Sequence, residues 1–149
     1  MLCTPADPPD SETVVQKPIT PFAHGVIDYT TVLALASAPR LMKFPDSAAN
    51  AAYALAFGYS ALSAMTDYPL SAKKLVPFKG HGAAELAIGA VLPALPWVLG
   101  FSHHRAARNL FIGLAGFSMV VAMLTDWNKE SERVARRKHR RRPRLMKAA

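Results

Sequence analysis

The sequence predicts an all-α fold, an integral membrane four-helix bundle made of two tandem helical-hairpin repeats. Three observations predict it. Half of the 149 residues are apolar, and they fall into four blocks rather than a dispersed pattern. Each block, roughly Phe22 to Ala38, Ala48 to Met65, His81 to Gly100 and Asn109 to Trp127, approaches the ~20 residues a helix needs to cross a ~30 Å hydrocarbon layer. The chain also repeats itself: His24 and His81, Asp28 and Glu85, Pro39 and Pro96, and Phe44 and Phe101 each lie 57 positions apart. Fixed-period self-similarity of this kind marks a structure built from copies of one supersecondary unit. A soluble bundle would need charged outward faces, and between Ala48 and Met65 there is no charge at all.

Taken in order, residues 1–20 are polar, proline-rich and mildly acidic, with no apolar core of a secretory leader. They are expected to be disordered. Cys3 is the only cysteine, which excludes an intramolecular disulfide or a multi-cysteine metal site. Residues 21–68 form the first two-helix repeat. Its first helix is the shortest apolar block, identified by its equivalence to the third. Pro39 sits at its end. In the second helix Ala48, Ala52, Ala56, Ser60 and Ala64 recur every four residues, a stripe of small side chains that permits close helix approach in lipid.

Residues 69–80 form a cytoplasmic loop and 81–127 the second repeat. Pro93 and Pro96 each remove a helical hydrogen bond from its first helix and kink it. Gly113, Ala115, Gly116, Ser118 and Ala122 give its second helix a looser small-residue face. The second and fourth helices are therefore expected to meet at the bundle centre or to form a dimer face. Gly58-Tyr59-Ser60 answers Gly116-Phe117-Ser118, and Thr66-Asp67-Tyr68 answers Thr125-Asp126-Trp127. Tyr68, Trp97 and Trp127, near block ends, fit interfacial anchors.

Residues 128–149 form a basic tail. With four spans, the N-terminal segment, middle loop and tail share one side, and carry fourteen Lys and Arg against four on the other (Arg40, Lys43, Arg105, Arg108). The positive-inside rule then places both termini in the cytoplasm of a bacterial inner membrane. The expected partners of the tail are anionic lipid headgroups, each basic residue contributing about 1 kcal/mol near the surface. No aromatic residue is interleaved among Arg133 to Lys147 to stack on bases, so nucleic acid is not the expected partner. The membrane-embedded faces leave a homo-oligomer open.

The candidate site is a set of intramembrane ionisable groups. His24 and Asp28 are four apart, as are His81 and Glu85, which puts each pair on one helical face. Asp67 and Asp126 end the second helix of each repeat on the same side. Charged groups in a membrane are expensive and mark functional positions. As candidate ligands, His24, Asp28, His81 and Glu85 for a cofactor, and His24, His81, Glu85, Asp67 and Asp126 for a metal, suit zinc, iron or manganese. The histidines could instead hold a haem, or a histidine–carboxylate pair could relay protons. The reading favoured over these is a structural lock in which each histidine bonds the carboxylate one turn away and the aspartate ending its partner helix. His103 and His104 read as solvated loop residues. No Gly-rich phosphate loop, nucleophile elbow or thiol pair is present, so no enzyme and no cofactor are expected.

The run Leu95-Pro96-Trp97-Val98-Leu99-Gly100-Phe101-Ser102, followed by Asn109 and Gly113, resembles the SPW-repeat family. These are small prokaryotic membrane proteins whose unit is two transmembrane helices with a Ser-Pro-Trp motif. Leu95 replaces the serine here, and the first repeat reads Ala38-Pro39-Arg40. The resemblance covers the core of about a hundred residues and implies architecture, with no catalytic residues to carry over. The resulting expectation is a non-enzymatic accessory or scaffolding membrane protein. The alternative is a small transporter or a metal- or haem-binding membrane protein using the paired His–carboxylate groups.

Overall fold

The computed structural model describes residues 17–128, and these are helical with no strands. The expectations for residues 1–16, Cys3 among them, and for the basic tail beyond Asn128 lie outside the described residues. Residues 17–20, also expected to be disordered, are described, with Ile19 bridging Thr125 and Thr20 capping α1. Helix α1 spans Pro21–Leu41 and α2 Asp46–Met65. A third rod begins as α3, Phe78–Val91, passes through a 3-10 turn at Leu92–Ala94 and ends as α4, Leu95–Val98. Helix α5 spans Arg105–Leu124.

Local chemistry sets the helix ends. The Thr20 hydroxyl accepts from the Ala23 N–H at 3.2 Å, and Pro21 occupies the first helical position, where its missing N–H costs nothing. Asp46 sits in the first turn of α2, where its charge complements the helix dipole. His104 caps α5 by accepting the Ala107 N–H on Nδ1 at 3.2 Å, so it is a structural residue and not the solvated loop residue expected. Pro93 and Pro96 fall at the break in the third rod, where the helix tightens to a 3-10 turn as the hydrogen-bonding pattern loses donors.

The outer turns of the two hairpins share a device. The Phe44 N–H reaches the Pro39 carbonyl at 3.0 Å and the Phe101 N–H the Pro96 carbonyl at 2.9 Å. Both turns need a left-handed residue, Lys43 at φ 50° in the first and Gly100 at φ 73° in the second. Glycine adopts that conformation freely, whereas a lysine carries strain there.

The most extensive helix contacts run between α1 and α2 and between α3 and α5. The small-residue stripe of α2 faces α1 and the interior shared by both hairpins. Ala48, Ala52 and Ala56 are buried in a core with Leu35, Leu92, Phe101, Phe111 and Ala115. Helices α2 and α5 both send residues into this core, although each packs most extensively against its own hairpin partner, and Gly113 and Gly116 face outward. Two helical rods, Phe78–Val98 and Arg105–Leu124, are long and apolar enough to cross a membrane. The other two, α1 and α2, at 21 and 20 residues, have the length but fall short of that hydropathy, so two of the four expected spans qualify among the described residues.

Candidate functional site

The loops at one end of the bundle tie the starts of α1 and α3 to the ends of α2 and α5. Ile19 bridges Thr125 through the bonds Ile19 N–H to Leu124 O at 3.1 Å and Asp126 N–H to Ile19 O at 2.9 Å. Thr66 bridges Val76, and the Asp67 N–H donates to the Val76 carbonyl at 2.8 Å. Helices α2 and α5 stop at Met65 and Leu124, and the next residues, Thr66 (ψ 141°) and Thr125 (ψ 135°), are extended. Successive side chains of an extended chain point to opposite sides. Thr66 and Tyr68 therefore turn inward and are fully buried, while Asp67 turns outward.

Four ionisable side chains converge behind these threonines. His24, Asp28 and His81 are fully buried and Glu85 is 4% exposed. His24 Nε2 lies 3.4 Å from Asp28 Oδ1 and 3.5 Å from Glu85 Oε2, and His81 Nε2 lies 3.5 Å from Asp28 Oδ2. The two imidazoles meet edge to face at 5.4 Å. Tyr59 Oη stands 3.0 Å from Asp28 Oδ1 and 2.8 Å from Glu85 Oε1, so a single phenol proton serves two carboxylates. Ser63 and Tyr68 donate to Asp28 Oδ2, both at 3.3 Å. Burial pushes the Tyr68 phenol above its ordinary range, which keeps it a donor.

The far side of each ring fixes its tautomer. Thr66 Oγ1 donates to the Leu62 carbonyl at 2.7 Å and Thr125 Oγ1 to the Val121 carbonyl at 2.6 Å. A hydroxyl has one proton to give, so each threonine oxygen can only accept from its histidine. His81 Nδ1–H therefore donates to Thr66 Oγ1 at 2.8 Å, and His24 Nδ1–H to Thr125 Oγ1 at 2.9 Å. In the neutral rings both Nε2 atoms are then bare lone pairs aimed at the carboxylates. His24 Nε2, His81 Nε2 and Glu85 Oε2 are buried without a hydrogen-bond partner. Leaving such groups unsatisfied is costly.

Packing closes the site. A Cβ at Gly25 would lie 2.5 Å from a Tyr68 ring carbon, and one at Gly82 would lie 2.8 Å from Trp127. Each histidine is thus followed by a glycine because an aromatic ring rests against the helix there. Phe78 and Trp127 pack on the His24 ring at 5.4 and 5.0 Å, and Tyr68 faces Phe78 at 6.1 Å.

Four of the sequence-predicted residues, His24, Asp28, His81 and Glu85, come together. His24, Asp28 and His81 offer ligand atoms all within 4.8 Å of one another. Asp67 and Asp126 stand outside this set: Asp67 pairs with Lys74, and the Asp126 carboxylate accepts the Asn128 N–H at 3.2 Å. The expected hairpin lock differs in its partners. Each histidine is anchored by the threonine beside the expected aspartate, and that threonine belongs to the other hairpin: His24 to Thr125, His81 to Thr66. Glu85 faces His24 rather than the His81 one turn away. Thr66, Thr125, Tyr59, Ser63 and Tyr68 were not foreseen as site residues. The recurrence of Thr-Asp-aromatic at the end of each repeat was the signal for the threonines.

No family model, curated protein or solved structure matches this chain.

Proposed function

We propose that the chain is a multi-pass membrane protein of two tandem hairpins, as its resemblance to SPW-repeat proteins implies, and that its buried His24–Asp28–His81–Glu85 centre binds one divalent transition-metal ion. The observation that carries the metal reading is the pair of threonine-fixed histidines presenting bare Nε2 lone pairs to two carboxylates. Four ligands 2.0–2.1 Å from a tetrahedral ion stand about 3.4 Å apart. Three nitrogen–oxygen separations, 3.4, 3.5 and 3.5 Å, match that spacing. Atoms of His24, Asp28 and His81 all lie within 4.8 Å of one another, and Glu85 approaches this set from the His24 side. A divalent ion also balances two carboxylates that have no buried Lys or Arg beside them among the described residues, which lowers the burial cost of the charge. Nitrogen and oxygen donors suit zinc, iron(II) or manganese(II), with the spacing favouring zinc. The Thr66 and Thr125 hydroxyls serve as the outer-shell acceptors that ligating histidines require. Rings 5.4 Å apart, both in reach of Asp28, suit a single ion and leave no slot for a haem macrocycle.

The membrane reading rests on where the apolar surface lies. Phe57 is 80% exposed, Val98 74%, Leu33 68% and Met123 67%. Large apolar side chains this open would be unfavourable in water and are at home against acyl chains. Both qualifying rods bury only a third or less of their apolar window, which favours a lipid-facing surface over the core of a soluble bundle. The middle loop and tail face the cytoplasm in this reading, and the role is binding rather than catalysis.

Two measurements test it. Expressed protein should remain in membrane pellets after alkaline carbonate washing, and release into the supernatant overturns the membrane reading. Purified protein should take up one zinc ion per chain, and His24→Ala and His81→Ala should abolish uptake. Equal uptake by the wild-type and both variants overturns the metal reading.

A further inference from the structure

A cavity of about 350 Å³ runs between the hairpins, walled by all four helical rods through Leu35, Leu55, Tyr59, Glu85, Leu92 and Leu114. Its size falls within the about 300–1,000 Å³ of small-molecule pockets. On α3 and beyond, the wall residues Glu85, Ile88, Leu92, Leu95 and Leu99 recur at three- and four-residue spacing, so one continuous face lines it from the polar centre toward the opposite end of the bundle. The cavity wall is mostly aliphatic, with Thr31 and Ser118 the polar lining residues besides Tyr59 and Glu85. Dry apolar cavities take up apolar molecules readily, and in a bilayer such molecules are the ones at hand.

The polar end gives the occupant its chemistry. There Tyr59 and Glu85 line the cavity. Tyr59 has already committed its proton to Asp28 and Glu85, so its oxygen can only accept. Glu85 presents carboxylate oxygens, which accept as well. An anionic head, such as a fatty-acid carboxylate, has no proton to give and would find only acceptors in Tyr59 and Glu85. A methyl ether or a ketone has no proton to give. A neutral hydroxyl satisfies this end, donating to Glu85 or to the Tyr59 oxygen.

We propose that the cavity binds a lipid-soluble neutral alcohol or phenol, its hydroxyl donating to Glu85 or to the Tyr59 oxygen and its apolar tail lying along Leu92, Leu95 and Leu114. This goes beyond the metal reading; it rests on the membrane reading and on Glu85 facing both the ion and the cavity. No reaction is implied.

The test uses full-length protein purified in detergent, with 4-decylphenol as the probe and 4-decylanisole, its methyl ether, as the control. Displacement of a bound fluorescent probe reads both affinities, and zinc content is measured on the same samples. The phenol is expected to bind at least tenfold more tightly than the anisole. Ala54→Phe, which fills the cavity, should remove that binding while leaving one zinc ion per chain, with Ala51→Leu as a second filling variant. Equal affinity for phenol and anisole overturns the proposal by showing a tail-only slot. Absence of phenol binding in zinc-loaded protein overturns it while the metal reading stands. Hydroxyl-selective binding in protein that takes up no zinc upholds it and overturns the metal reading instead.

Discussion

Replacing Thr125 by valine tests how the second hairpin controls the first hairpin's histidine. Valine keeps the shape of threonine and removes only the hydroxyl, so His24 Nδ1–H loses the acceptor it holds at 2.9 Å. The backbone ties of that segment, Ile19 N–H to Leu124 O and Asp126 N–H to Ile19 O, involve no Thr125 side-chain atom and persist. An unsatisfied buried donor costs about 1–3 kcal/mol. The ring can escape by moving its proton to Nε2, where carboxylate oxygens stand 3.4 and 3.5 Å away. That shift blocks the lone pair a metal ion needs. Loss of such an outer-shell partner lowers metal affinity about 10–100-fold, equivalent to about 1.4–2.7 kcal/mol. Zinc affinity should be measured by chelator competition on purified wild-type, Thr125→Val and Thr125→Ser proteins. The serine variant should stay within a few-fold of wild type, because it restores the acceptor. Wild-type affinity in the valine variant would refute the reasoning, since the tautomer would then not be set by this contact.

Three further predictions follow from packing and charge. Gly25→Ala and Gly82→Ala each drive a methyl into an aromatic ring, at 2.5 and 2.8 Å, and should destabilise by about 1–3 kcal/mol, read as a lower detergent-denaturation midpoint. Gly113→Ala, where an added methyl meets open space, should not, and is the control. Lys43→Gly should raise stability by up to about 1 kcal/mol by relieving the left-handed strain at φ 50°, whereas Gly100→Lys should lower it in the same assay. Lys74→Ala should change stability by less than about 1 kcal/mol, because its pair with Asp67 is half exposed on the lysine side and screened by solvent.

The helices were legible because their signals are local: apolar blocks, and the prolines where the third rod breaks. His24, Asp28, His81 and Glu85 were legible because the four-residue spacing and the 57-residue offset put them on matching faces. Their pairing across hairpins was not. Spacing assigns a face but not the neighbour that face meets, and both exchanged contacts, His24 with Thr125 and His81 with Thr66, span separate helices. Asp67 was expected inside because the acidic residue is the conspicuous member of Thr-Asp-aromatic. The helix ends one residue earlier, and the extended backbone at Thr66 turns the threonine in and the aspartate out. Tyr59 was hidden by asymmetry: the second repeat has Phe117 at the matching place, and only the first repeat's phenol bridges the two carboxylates.

The centre itself is tested most directly by the metal content of the protein, purified without chelators and measured by elemental mass spectrometry beside His24→Ala, His81→Ala and Asp28→Asn. One transition-metal ion per chain, lost from all three variants and released on acidification as the ligands take up protons, is the expected result. Wild-type protein that carries no ion and takes up none from added zinc, iron(II) or manganese(II) would contradict it.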